Sequence, residues 1–176
     1  MEIGSKVRSK IRKESTISLA KKGDKEAFLV LIQDNKVSLY RIAKGILKSE
    51  NDIEDAFQNT IIKAYEKIHT LKNDNYFKTW IIRILINECN NIIKLNTRVI
   101  PMEKLRENVY EDSYCSSDIR EAVDLLDEDL RIVILLFYYE DIPQKEIAKI
   151  LNLKHGTVRS RISRAKEKLY EIIKES

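Results

Sequence analysis

The chain has 176 residues, with only four glycines and two prolines, so it has few places for the tight turns of a β-sandwich, a barrel or a Gly-rich phosphate loop. Apolar residues make up 43% and charged residues 34%, a foldable, soluble balance in which no apolar run approaches the roughly 18 residues of a membrane helix. The net charge of +4 is uneven: residues 1–22 hold seven Lys/Arg and two Asp/Glu, residues 96–130 hold four and ten, and residues 143–176 hold nine and four.

The composition predicts an all-α chain. A basic tail over residues 1–22 contains Lys6, Arg8, Lys10, Arg12 and Lys13. No apolar core with a small-residue cleavage site follows it, which argues against a secretory leader. Residues 24–47 read as helical through Ala27, Phe28, Leu31, Ile32, Leu39, Ile42, Ala43 and Ile46. Asp24 suits the cap, and the polar stretch 33–36 is a candidate bend or break. Residues 52–68 form a second helix, with Asp52, Glu54 and Asp55 early and Lys63 and Lys67 late, which complements the helix dipole.

Residues 76–95 form a long third helix. Phe77, Ile81, Ile84, Leu85 and Ile92 share its apolar face, while Arg83, Asn87, Asn90 and Lys94 line a separate stripe. Asn is a poor helix former, so Asn87, Asn90 and Asn91 hint at a polar recognition face. Residues 96–117 lose periodicity and read as a flexible acidic linker around Pro101. Helical spacing resumes over residues 118–140. The expected organisation is therefore two small helical domains, 23–95 and 118–176. Cys89 and Cys115 form no disulfide framework and fit a reducing, cytoplasmic setting. With His69 and His155 they are too scattered for a metal centre, and nothing calls for a cofactor.

The most informative stretch is 142–172. Pro143 suits the first position of a short helix with Ile147, Ala148 and Leu151 on one face. Asn152 tolerates the left-handed backbone that ends a helix. Gly156 and Thr157 open a second helix whose apolar face is Val158, Ile162, Ala165 and Leu169. Thr157, Ser160, Arg161, Arg164 and Lys168 lie opposite, with Arg159 beside them and His155 just before. No acid occurs from Lys154 to Lys166, whereas ordinary solvated faces mix signs. A short helix, a tight turn and a longer basic helix make a helix-turn-helix, whose arginines can pair with guanine edges in the major groove.

Residues 141–169 resemble region 4 of bacterial sigma factors of the extracytoplasmic-function group, and residues 156–165 match the Gly-Thr-Val-basic-Ser-Arg-x-x-Arg-Ala run throughout. Residues 52–58 with Lys63, Ala64 and Tyr65 are similar to region 2.2. Phe77, Lys78, Thr79, Trp80, Arg83, Ile84 and Asn87 are similar to regions 2.3 and 2.4. The resemblance covers roughly residues 20–172. It implies a dissociable specificity subunit of core RNA polymerase, with no catalytic activity of its own. Asp52, Asp55 and Gln58 would dock on the polymerase clamp. Trp80, Arg83, Asn87, Asn90 and Lys94, with the loop 69–75, would hold the minus-ten promoter element. His155, Thr157, Arg159, Ser160, Arg161, Arg164 and Lys168 would read the minus-thirty-five element. The resemblance also implies an anti-sigma factor, membrane-anchored in many members. Ile86 and Lys154 depart from the family pattern.

Two other readings stand beside it. An autonomous helix-turn-helix repressor or activator would require a dimer and a palindromic operator; no dimerisation heptad is evident, and residues 52–65 would go unexplained. A nuclease would use Asp52, Glu54 and Asp55 as metal ligands, but no matching carboxylates or base are evident elsewhere.

Overall fold

The computed structural model describes residues 16–99 and 117–175. The rest of the basic tail and most of the expected linker, including Pro101 and Cys115, lie outside the described residues. The described residues are helical, without strands.

Helix α1 occupies residues 16–21, which the charge pattern assigns to the tail. Ile17 and Ala20 are nonetheless buried. Gly23 ends this helix at φ +94°, a left-handed conformation that glycine adopts without steric cost. Its N–H donates to the Ala20 carbonyl at 3.0 Å. Asp24 then caps α2 (Lys25–Ile46), accepting from the Ala27 N–H at 2.9 Å. The polar stretch 33–36 does not break α2. Asn35 turns its amide back onto the Leu31 carbonyl at 2.7 Å, while Leu31, Ile32, Leu39 and Ile42 hold the helix to the core on either side.

Helix α3 (Glu50–Lys67) starts at Ser49, whose hydroxyl oxygen accepts from the Asp52 N–H at 3.4 Å. Ile53, Ala56, Thr60 and Ala64 form its buried stripe. The buried Thr60 hydroxyl donates to the Ala56 carbonyl at 2.6 Å, so no polar group is stranded. Two single 3-10 turns, Ile68–Thr70 and Asp74–Tyr76, lead into α4 (Phe77–Val99). Helices α2, α3 and α4 pack against one another. The buried Glu88 of α4 is neutralised by Lys63 of α3 at 2.6 Å.

The single helical stretch expected over 118–140 is broken. Helix α5 (Ser117–Asp124) ends before Asp127, whose extended backbone precedes α6 (Glu128–Ile134). The break lets Val123 and Leu126 turn inward beside Leu130, Ile134 and Ala165. Helix α6 widens into a π-turn over Leu135–Tyr139, where the Glu140 N–H donates to the Leu135 carbonyl at 3.1 Å. Asp141 follows at φ 55°. Helices α7 (Gln144–Ile150) and α8 (His155–Glu175) complete the chain.

The two expected helical bundles lie directly against each other. Ile132, Val133, Leu136, Ile147 and Val158 of the second half belong to one continuous core with Ile42, Ile81 and Leu85 of the first. Gly45 marks the closest approach: a Cβ added there would overlap Leu135 Cδ1. Arg131 crosses the same boundary, donating to the Gly45 carbonyl at 3.3 Å.

Cys89 lies fully inside this core, and burial pushes its thiol up to about 12. A thiol reacts as its thiolate. In a Cys115→Ser variant, Cys89 should therefore react with a disulfide reagent at pH 8 only after denaturant is added. Absorbance of the released thiol checks this, and rapid labelling of the native chain would contradict it.

Candidate nucleic-acid interface

The helix-turn-helix forms where the sequence places it, with each helix start shifted by one residue. Pro143 is the cap of α7 rather than its first helical residue, with extended backbone (φ −60°, ψ 143°). Its carbonyl accepts from Glu146 and Ile147 at 2.8 and 3.0 Å. Asn152 has φ 53°, and the Leu153 N–H reaches back to the Ala148 carbonyl at 2.8 Å. That turn aims α8 across α7. Replacing Asn152 with Val puts a branched side chain in left-handed space. It should cost about 1–2 kcal/mol in urea unfolding, with Asn152→Gly near neutral.

Helix α8 begins one residue before Gly156, at His155. The Lys154 carbonyl accepts from Thr157 and Val158, but a lysine side chain carries no acceptor to cap the first turn. Gly156 is exposed, and an added Cβ would meet nothing within 4 Å. No neighbour in the fold requires a glycine here.

Val158, Ile162 and Ala165 anchor the inner face of α8, with Leu169 half-buried. His155, Arg159, Ser160, Arg164 and Lys168 are exposed, and Thr157 is half-buried. Two cations of this set are already engaged by acids near the start of α6. Arg161 Nη2 lies 3.2 Å from Asp129, with its side chain only 23% exposed. Lys168 pairs with Asp127; its hydrogen bond and then its charge hold that carboxyl below the usual range.

A second polar surface lies on α4. Arg83, Asn87, Asn90 and Lys94 are all exposed along the expected stripe. Trp80 is half-buried, its ring tilted against the buried Phe77 at 5.9 Å between centroids. Together with Leu71, Lys72, Asn73, Tyr76 and Arg83, Trp80 lines a cleft of about 360 Å³ closed on its far side by α7. Lys72 belongs to the loop 69–75 that the sequence reading included, whereas Tyr76, 49% exposed, was not singled out. An aromatic residue just before the helix, beside a polar loop, was the available signal for Tyr76.

Of the acids on α3, Asp55 is exposed with Gln58. Asp52 is half-buried and accepts from the Asn96 amide at 3.0 Å. The described residues contain no helix long and apolar enough to cross a membrane.

A helix-turn-helix with a basic outer face, packed against a second helix with an exposed stripe of amides and cations, is the arrangement of a nucleic-acid-binding protein. A family model described as Sigma-70 region 2 matches residues 31–99, and one described as Sigma-70, region 4 matches residues 116–169. The RNA polymerase sigma factor SigV of Bacillus subtilis is 30% identical over 84% of this chain and 92% of that protein. The ECF RNA polymerase sigma-E factor of Haemophilus influenzae is 32% identical over 88% of this chain and 91% of that protein. Among solved structures, the sigma factor RpoE of Bartonella quintana, in complex with the anti-sigma factor NepR, superposes with a TM-score of 0.68 at 25% identity. That match covers 82% of this chain and 96% of that one. CnrH, in complex with the cytosolic domain of CnrY, shares the fold at a TM-score of 0.65 and 24% identity, over 92% and 96% of the two chains. The chain belongs to the sigma-70 family, in its extracytoplasmic-function group, and is a sigma subunit directing promoter-specific transcription initiation.

Proposed function

We propose that the two surfaces divide the promoter between them. Residues 118–176 form the unit that binds the minus-thirty-five element as duplex, with α8 in the major groove. Residues 23–95 hold the minus-ten element after strand separation. The observation that carries this reading is the one-sided charge of α8. Arg159, Ser160 and Arg164 are exposed while Val158, Ile162 and Ala165 are buried, so the helix presents cations and hydroxyls outward from a fixed apolar base. Arginine pairs bidentately with guanine O6 and N7, and hydroxyls reach phosphates or base edges. The open space around Gly156 permits a phosphate to approach the first turn of α8, where helix N–H groups favour an anion.

On α4, amide and guanidinium groups from Arg83, Asn87, Asn90 and Lys94 suit the edges and phosphates of an unpaired strand. Trp80 and Tyr76 offer ring faces for stacking, which contributes about 1–3 kcal/mol per base. Asp55 and Gln58, with the half-buried Asp52, suit a basic surface of core polymerase. The solved relatives RpoE and CnrH were captured with NepR and CnrY, which supports an anti-sigma partner for this chain as well. The reading places the chain in the cytoplasm, as a binding subunit with no catalytic step of its own.

Run-off transcription with bacterial core polymerase on a promoter library tests this division. Selective initiation should appear only when the chain and core are combined. Arg164→Ala should lose about 1–3 kcal/mol of discrimination at a single upstream base pair if the contact is to a base. A loss uniform over all sequences would assign Arg164 to a phosphate instead. Asn87→Ala should change preference only at downstream positions.

A further inference from the structure

Lys21 is the last residue of α1. The charge pattern places it in the basic tail, and the match to Sigma-70 region 2 begins only at residue 31. Its side chain nevertheless reaches across the fold. Lys21 Nζ donates to Asp74 Oδ1 at 2.9 Å, between residues 53 positions apart. The two side chains keep only 27% and 26% of their surface exposed. The lysine springs from a fixed base, because Ile17 and Ala20 of α1 are buried in the same core as Leu71 and Phe77. Just beyond it, the Asp24 N–H donates to the Leu19 carbonyl at 3.2 Å and closes the end of the helix.

Asp74 lies between two apolar anchors of the loop, the buried Leu71 and Phe77. Between them Lys72, Asn73, Asn75 and Tyr76 are exposed, while Asp74 is half-buried. The loop's own hydrogen bonds are local. Asn73 Oδ1 accepts from the Asn75 N–H at 3.0 Å, the Tyr76 N–H donates to the Asn73 carbonyl at 3.1 Å, and the Phe77 N–H donates to the Asp74 carbonyl. They shape the 3-10 turn but do not tie it to a distant element; the pair with Lys21 does. Asp74 opens the turn that ends at Tyr76, so holding Asp74 also fixes the Tyr76 ring at the cleft it shares with Trp80 and Arg83.

We propose that Lys21 is a positioning residue for the minus-ten loop. It braces the turn that presents Tyr76 and neutralises an acid that would otherwise repel the DNA strand, without touching DNA itself. The functional half of this proposal rests on the assignment of the loop 69–75 and α4 to the minus-ten element; the brace rests on the Lys21–Asp74 contact alone.

Asp74→Asn separates bracing from plain electrostatics, because the two give opposite signs. Removing an acid from a loop that faces DNA should tighten binding if charge alone matters, whereas losing the brace should weaken it. The assay uses holoenzyme reconstituted from core polymerase and the full chain, with a promoter selected from the library. Capture of a single-stranded oligonucleotide spanning its minus-ten element should fall about two- to fivefold in both Asp74→Asn and Lys21→Met, the scale of one partly exposed ion pair. Permanganate reactivity of unpaired thymines in the open complex should fall with it. Lys21→Glu combined with Asp74→Lys keeps the net charge and should recover most of the loss. Preference at minus-thirty-five positions should not move. In the free chain, amide exchange of residues 75–77 should quicken by a similar factor in each single variant and slow again in the exchanged pair.

Tighter or unchanged capture by Asp74→Asn would overturn the proposal, as would wild-type exchange at residues 75–77. A loss in Lys21→Met that the exchanged pair does not recover would overturn it too, and would assign Lys21 to a phosphate instead. Faster exchange at residues 75–77 in a chain whose holoenzyme selects no minus-ten sequence would sink the minus-ten assignment and leave the brace standing.

Discussion

Taking a carboxylate out of water is costly unless charged and hydrogen-bonding groups come with it. Glu140 meets that condition with groups it cannot find nearby in sequence: Ser38, Arg41 and Lys78. Because α2 supplies Ser38 and Arg41 and α4 supplies Lys78, one acid fixes the second half against two helices at once. The π-turn over Leu135–Tyr139 is the local device that delivers it. An extra residue in the turn rotates the chain, and Asp141 then reverses direction in a left-handed conformation.

The same placement determines what the surfaces can do. Helix α7 is drawn over Trp80 and Tyr76, and α8 brings Arg161 into a cleft shared with Asn90. Arg161 is thereby held by Asp129, and Lys168 by Asp127, while Arg159 and Arg164 remain on the outer side. Two of the cations on α8 are thus neutralised by acids at the start of α6. Ile86 shows how far this extends. It departs from the family pattern and is 3% exposed, lining the cleft between the halves. Its apolar side chain suits a position that is covered rather than wet.

Features built from short-range chemistry were legible in the sequence. Asp24 caps α2 with its own carboxylate, Asn152 takes the left-handed turn, and the Val158, Ile162, Ala165 stripe lies inward. Each depends on groups within a few residues. Where sequence reading went astray, distant contacts decided. The polar stretch 33–36 stays helical because apolar residues on both sides are pinned to the core. The stretch 118–140 breaks because Val123 and Leu126 must reach Ala165, some forty positions away. Gly45, unremarkable at a helix end, is where an added Cβ would overlap Leu135 Cδ1, so Leu135 would have to shift.

By itself, then, the sequence determined an all-helical chain, the helix-turn-helix, the polar stripe of α4 and, through its motifs, the family. Helical periodicity, capping chemistry and motif spacing are written in neighbouring residues and survive without knowledge of the rest of the chain. Only the tertiary structure decided that the two halves meet at Glu140, that Arg161 is held by Asp129, and that Asn90 of α4 and Arg161 of α8 line one cleft. Those outcomes depend on pairs some thirty to one hundred positions apart, whose meeting follows from packing the whole core rather than from any local pattern.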